Sequence, residues 1–205
     1  MAKAPAAGRV KTRLSPHLSP HEAAAVAEAA LVDTLAAAGA CGAERKVVAL
    51  DGDPGPWLPP GFEVVPQGGG GLDDRLAQAW RFVGGPAVQI GMDTPQVTPE
   101  LLDDALSSLD AADAALGMAE DGGWWAIALR TADPAVFLGV PMSTVDTGAA
   151  QRRRLEHLGL TVANLPVLRD IDHLEDLVAV ARAHPFTVTA RVTAQLMTTR
   201  LDETG

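Results

Sequence analysis

The chain has 205 residues, 47% hydrophobic and 20% charged, with a formal net charge of −10, which is enough for one domain with a sizeable core and an ordinary globular balance. The acidic balance excludes the broad basic face that non-specific nucleic-acid binding requires. One cysteine, Cys41, excludes an internal disulfide; with no signal-peptide pattern and no apolar run expected to span a bilayer, a cytoplasmic protein is expected.

The amino end departs from the acidic average. Lys3, Arg9, Lys11 and Arg13 all precede the first acidic residue, Glu22. They lie on the stretch Lys3-Ala4-Pro5-Ala6-Ala7-Gly8-Arg9-Val10-Lys11-Thr12-Arg13-Leu14. Cations gathered on a Pro/Gly loop of an acidic protein make a local anion site, and backbone N–H groups near a glycine can cradle phosphate oxygens. Chain ends are commonly solvated tails. Here Lys11 and Arg13 alternate with Val10, Thr12 and Leu14, and a capped helix follows, so the loop is read as a phosphate site for a nucleotide.

Ser19-Pro20-His21-Glu22 carries a capping residue, a first-turn proline and a capping-box glutamate, which predicts a helix over 20–38. Apolar runs bounded by turn residues predict strands over 46–50, 62–65 and 87–90, with a glycine loop at 68–71 leading into a helix over 72–82. Thr98-Pro99 opens a helix through residue 109. Strands follow over 114–118 and 124–129, then a helix from Thr147 that ends before Gly159. A strand over 161–165 and a helix over 173–183 complete the regular pattern. Beyond Pro185 the β-branched residues fit a strand or a helix equally. Strands alternating with helices imply an α/β fold with a mostly parallel sheet, its ligands beyond the carboxyl ends of the strands. The economical division is one domain over 1–184 with a carboxyl-terminal extension over 185–205.

Several motifs could carry chemistry. Gly91-Met92-Asp93-Thr94-Pro95 ends a predicted strand, and Asp93 there can hold Mg²⁺ or Mn²⁺ through hard oxygen ligands; on this pentapeptide alone a helix-cap or turn role is the better reading. Asp121-Gly122-Gly123-Trp124-Trp125 is first a turn signal, but paired tryptophans are unusual in a chain with 4% aromatics. On a strand they face opposite sides, so one packs in the core and the other can line a pocket. Asp172 in Arg169-Asp170-Ile171-Asp172-His173 is a second metal-ligand candidate or a helix cap, and Asp176 reads as a solvated first-turn acid. Arg152, Arg153 and Arg154 read as a solvated helix face, and the histidines lack a metal-ligand spacing. There is no GxSxG, no zinc pattern and no complete Walker loop.

In order, these motifs resemble the DUF2064 family of GT-A-like transferases, related more distantly to molybdenum-cofactor and phospholactate guanylyltransferases. The resemblance is carried by Ala2-Lys3-Ala4-Pro5 through Lys11-Thr12-Arg13-Leu14, Gly70-Gly71-Leu72-Asp73-Asp74-Arg75-Leu76, Gly91-Met92-Asp93-Thr94-Pro95, Asp121-Gly122-Gly123-Trp124-Trp125 and Asp170-Ile171-Asp172. It implies a three-layer Rossmann-like GT-A fold binding a nucleoside diphosphate sugar or a nucleoside triphosphate. Lys3, Pro5, Gly8, Lys11, Arg13, Gly71 and Arg75 would bind the nucleotide and its phosphates. Asp93 and Asp121 would be catalytic, Asp93 and Asp172 would hold Mg²⁺ or Mn²⁺, and Gly122, Gly123, Trp124 and Trp125 would form the sugar or acceptor pocket. The family has a full apolar strand before its Lys-Ala-Pro loop, whereas only Met1-Ala2 stand before Lys3; the first strand is expected to be largely missing and Met1 to be an internal residue of a longer chain. His173 stands where relatives tend to carry Thr, which removes a capping hydroxyl.

The expected reaction is metal-dependent transfer from a nucleotide-activated donor to a small-molecule acceptor, with glycosyl transfer preferred. Nucleotidyl transfer releasing pyrophosphate is the alternative. A non-catalytic nucleotide-binding protein is the third reading, distinguished by nucleotide binding that survives Asp93→Ala. No nucleic-acid partner and no membrane span are expected, and a shortened sheet edge offers a homodimer contact.

Overall fold

The computed structural model describes residues 1–15 and 17–203. Strands β1 (Ala2–Lys3), β2 (Val47–Asp51) and β3 (Glu63–Pro66) form one parallel sheet in the order β1-β2-β3. Strands β4 (Ala87–Ile90), β5 (Ala114–Ala119), β6 (Trp124–Leu129) and β7 (Val162–Leu168) form the other, in the order β4-β6-β5-β7. Strand β6 runs antiparallel to both neighbours and β7 parallel to β5. The sheets meet at β1, where the Met1 amino group donates to the Ile90 carbonyl at 3.0 Å. The expected α/β fold is present, and its first strand is two residues long.

Helix α1 (Pro20–Ala40) starts as expected: the Ser19 hydroxyl accepts from the Glu22 N–H, and the Glu22 carboxylate accepts from the Ser19 N–H at 2.7 Å. By length and composition alone its stretch is long and apolar enough to cross a membrane, which corrects the expectation that no such run exists. Half of that stretch is buried inside the fold, where Ala27, Leu31 and Leu35 pack with Val48 and Leu50 of β2. Helices α2 (Leu72–Val83), α3 (Pro99–Ser107) and α4 (Thr147–His157) flank the sheets. Along β6, Ile127 and Leu129 join the core built on Trp80, Leu116, Phe137 and Leu155, while Ala126 packs with Leu102 and Cys41. Alternation along the strand thus feeds two cores.

Three differences from the predicted elements have physical causes. Strand β7 runs on through Pro166 to Leu168, beyond the predicted end at residue 165. It is an edge strand, where a missing N–H is tolerated, and the register with β5 shifts there. The Trp125 indole donates to the Pro166 carbonyl at 2.9 Å. Residues 188–203 form helix α6 (Val188–Glu203), which packs on α1 and on α5 (Leu174–Ala183). The Asp33 carboxylate accepts from the Val188 and Thr189 N–H groups, each at 2.8 Å, and so caps α6 from 155 residues away. Asp176 is not a merely solvated acid: it accepts from the His173 N–H at 2.8 Å, the half of a capping box that an N3 acid supplies, while His173 itself makes no side-chain cap.

Candidate functional site

The cationic loop is anchored at both ends. The Ala4 N–H donates to the Asp51 carbonyl at 2.8 Å, extending the β1–β2 pairing. At the far end Leu14 and Leu18 are buried with Ile171 and Leu177. Between these anchors Gly8 (φ 75°) turns the chain and Lys11 lies in the left-handed region at φ 48°, an uncommon conformation for a residue with a Cβ. Nothing lies within 4 Å of where a Cβ on Gly8 would stand, so the outer face of the loop is open. Pro5 sits half-buried at its base.

Lys11 folds inward. Its ammonium lies 2.6 Å from the Asp93 carboxylate and donates to the Ile171 carbonyl, and its side chain is only 6% exposed. An ammonium has three donors, so one remains after these two contacts. The Ile171 N–H donates to the Asp93 carbonyl at 2.9 Å, which ties the end of β4 to the turn after β7. Arg13 pairs with Asp172 on the same turn. Two loop cations and two of the predicted aspartates are therefore in direct contact.

A third element completes the group. Asp121, in the β5–β6 turn, lies with Asp170 and Asp172 so that one carboxylate oxygen of each falls within 4.8 Å of the others. Burial, and then the neighbouring Asp121 and Asp172 charges, push the Asp170 carboxyl up to about 6. Ile171, between two of these acids, is fully buried, so strand-like alternation turns both carboxylates away from the core. Three hard oxygen donors converging from two loops suit Mg²⁺ or Mn²⁺. Asp93 stands beside this group, with its carboxylate taken by Lys11. Asp170 is the ligand candidate that sequence reasoning misses, and the Asp-x-Asp spacing after a strand is its signal.

The Asp121 turn is held tightly. Gly122 (φ 91°) occupies a conformation that L side chains rarely adopt, and a Cβ there would overlap the Val145 carbonyl. The Gly123 N–H donates to Asp121 at 2.7 Å, and the Gly148 N–H at the start of α4 donates to the Gly122 carbonyl at 2.8 Å. Trp125 is buried, and Gly117 leaves room for its indole. Trp124 is half-buried, and its indole N–H has no hydrogen-bond partner.

The remaining predicted residues sit around the ends of β1–β3. Lys3 and Arg9 both lie near Asp51, at 3.9 and 3.8 Å. Gly71 is the N-cap of α2, and its N–H meets Asp74. Arg75 donates to Gln67 at 2.9 Å. Gln67, which sequence reasoning also misses, donates to the Ala2 and Ala49 carbonyls at 2.8 and 3.0 Å. It thereby pins Arg75 to the ends of two strands.

The raised Asp170 carboxyl gives stability a definite pH dependence. The folded chain keeps that proton to about pH 6, whereas the unfolded chain releases it near its ordinary value of 3.8. Its contribution is therefore most favourable below about pH 4 and is lost as pH rises through about 6. Chelator-treated wild type should lose Tm relative to Asp170→Asn between pH 4.5 and about 7; a gap that does not change with pH would contradict this assignment.

Comparisons with known proteins bear on the family and the fold. The family model described as "uncharacterized protein conserved in bacteria (DUF2064)" matches residues 22–144. A crystal structure of a candidate nucleotide-diphospho-sugar transferase from Desulfovibrio desulfuricans G20 superposes with a TM-score of 0.86 at 27% identity, covering 95% of this chain and 91% of that one. The 2-C-methyl-D-erythritol 4-phosphate cytidylyltransferase of Thermus thermophilus shares the fold, with a TM-score of 0.53 at 21% identity, over 87% of this chain and 95% of that one. No curated protein matches the chain.

Proposed function

This chain belongs to the DUF2064 family, and from that premise we propose that it is a metal-dependent transferase that uses a nucleoside diphosphate sugar as donor and a small molecule as acceptor. The observation that carries the reading is the contact of Lys11 with Asp93 and Ile171, beside the Asp121–Asp170–Asp172 group. A diphosphate needs fixed positive charge and, in most enzymes, a divalent ion; this corner offers cations and a set of hard donors side by side. The likeness to the Desulfovibrio protein supports a sugar nucleotide over a nucleoside triphosphate.

In this reading Lys11 and Arg13 bind the donor phosphates. Asp93 and the Ile171 carbonyl hold the Lys11 ammonium, so its charge does not have to reorganise as the bond breaks. Asp121, Asp170 and Asp172 hold Mg²⁺ or Mn²⁺, which neutralises phosphate charge when bound. Below about pH 6 a metal would have to displace the Asp170 proton. Gln67 holds Arg75 near the nucleoside, with Gly71 at the mouth of the loop. The acceptor hydroxyl attacks the anomeric carbon, the bond from that carbon to the β-phosphate oxygen breaks, and the nucleoside diphosphate leaves with the electron pair. Gly122, Gly123 and Trp124 border the acceptor side, and the oxygen of the exposed Asp121 carboxylate that is not needed by the metal would take the acceptor proton.

Product analysis tests the reading. With Mn²⁺ and a panel of GDP- and UDP-sugars, release of a nucleoside diphosphate is expected, and nucleoside triphosphates should give no pyrophosphate. Pyrophosphate released from a triphosphate would replace glycosyl by nucleotidyl transfer.

A further inference from the structure

The turn that carries Asp170 and Asp172 lies outside the sheet. The β5 ladder ends at Leu168, and residues 169–172 have no regular structure, yet Ile171 is fully buried and its neighbours are half-buried. Backbone groups in such a stretch need partners from elsewhere. The Ile171 N–H and carbonyl have Asp93 and Lys11. The Arg169 carbonyl accepts from the Gln96 side-chain amide, 73 residues away in sequence. Both peptide units that flank the Asp170 Cα are therefore tied, one by Gln96 and the other by the Asp93 carbonyl. Peptide units are planar, so holding the two fixes the backbone of Asp170 and the direction in which its side chain leaves.

Gln96 is itself firmly seated. It is 6% exposed. The Val97 N–H donates to the Thr94 carbonyl at 3.1 Å and closes a turn with Pro95 and Gln96 at its centre. The next residue but one, Thr98, caps α3 by accepting from the Leu101 N–H at 3.3 Å. Val97 packs with Leu102 and Trp125. The other side-chain tie to Arg169 is the ion pair with Glu120 at 2.6 Å, with the two side chains 40% and 48% exposed, and an exposed pair holds little.

We propose that Gln96 is a positioning residue for the acidic group: it sets the direction of the Asp170 carboxylate, and through the tied turn that of Asp172. The consequence for Mn²⁺ or Mg²⁺ rests on the metal reading proposed above; the hold on the turn does not.

A second buried glutamine supplies a matched control. Gln151 of α4 is fully buried and donates to the Val136 carbonyl at 2.7 Å. Neither glutamine's side-chain oxygen has a partner among the described residues. Leucine at either position removes an unpaired acceptor together with the donor, which limits the loss of stability. Gln96→Leu and Gln151→Leu should each move the metal-free Tm by only about 2–4 °C. Gln96→Leu alone should bind Mn²⁺ about 10–100-fold more weakly and change the electron paramagnetic resonance spectrum of the bound ion. In metal-free protein it alone should speed amide hydrogen exchange at 170–172. Gln96→Met, whose stem follows that of glutamine, should behave alike and carries the test if the leucine variant does not fold. Wild-type affinity and spectrum in the Gln96 variants would overturn the proposal, and so would equal losses in Gln151→Leu, which would mean general loosening. If wild type binds no Mn²⁺, the metal reading fails; the exchange comparison then decides separately whether Gln96 holds the turn, and unchanged exchange would overturn that too.

Discussion

Lys11→Met is expected to lower kcat/KM by about 10²–10³-fold while leaving the fold intact, because a fixed charge at a developing anion is worth that much in a water-poor site. The Lys11 ammonium is held by Asp93 at 2.6 Å and by the Ile171 carbonyl, with the side chain 6% exposed. Methionine keeps most of the stem's volume and removes only the charge. Asp93 is left without its partner, but its side chain is 44% exposed and water can solvate it. The reciprocal change behaves differently. Asp93→Ala leaves the nearly buried ammonium with one carbonyl acceptor, and an undercompensated buried charge costs about 1–3 kcal/mol after allowance for the partner's exposure. Lys11→Met should therefore act mainly on turnover, and Asp93→Ala on turnover and Tm together. Steady-state kinetics beside thermal melts separate the two; a Lys11→Met enzyme with wild-type kcat/KM would remove Lys11 from the phosphate site.

Asp172→Ala is expected to weaken Mn²⁺ binding by at least about 100-fold, since losing even an outer-shell support of a metal ligand costs about 10–100-fold. Asp172 has two partners: it shares the three-carboxylate group with Asp121 and Asp170, and it pairs with Arg13. In the proposed site its loss would remove one metal ligand and free Arg13, a cation of the proposed phosphate loop. Arg13→Gln isolates the second effect. It should weaken nucleoside diphosphate binding and leave Mn²⁺ binding within a few-fold of wild type. Manganese titrations on the two variants decide this, and equal Mn²⁺ affinity for wild type and Asp172→Ala would remove the acidic group as the metal site.

Much of this arrangement is legible in the chain. The alternation of Lys11 and Arg13 with apolar residues anticipates a loop whose Leu14 is buried while its cations reach a turn about 160 residues away. The capping box at Ser19 and the strand over 124–129 are local signals that tertiary structure leaves unopposed. Other features depend on partners distant in sequence. The β-branched run Thr187-Val188-Thr189 has a strand-like propensity, yet Asp33 supplies the two acceptors that start a helix there. Nothing local announces that cap, and tertiary context overrides propensity. Gln67 is invisible in the sequence for the same reason: its importance lies in bridging the ends of β1 and β2 to Arg75. Asp170 is within reach, because Asp-x-Asp around a buried Ile171 aims both acids away from the core. A helix cap explains Asp172 when it is read alone, and that hides the pair.

A cationic loop and an acidic group that serve one bound pair, a diphosphate and a divalent ion, must bind the two cooperatively. Mn²⁺ titrations followed by electron paramagnetic resonance, with and without GDP or UDP, test this most directly. Each ligand should tighten the other by the same factor, about tenfold or more, as linkage between neighbouring sites demands, and both Lys11→Met and Asp172→Ala should abolish that coupling. Mn²⁺ and nucleoside diphosphate that bind independently of each other would contradict the account.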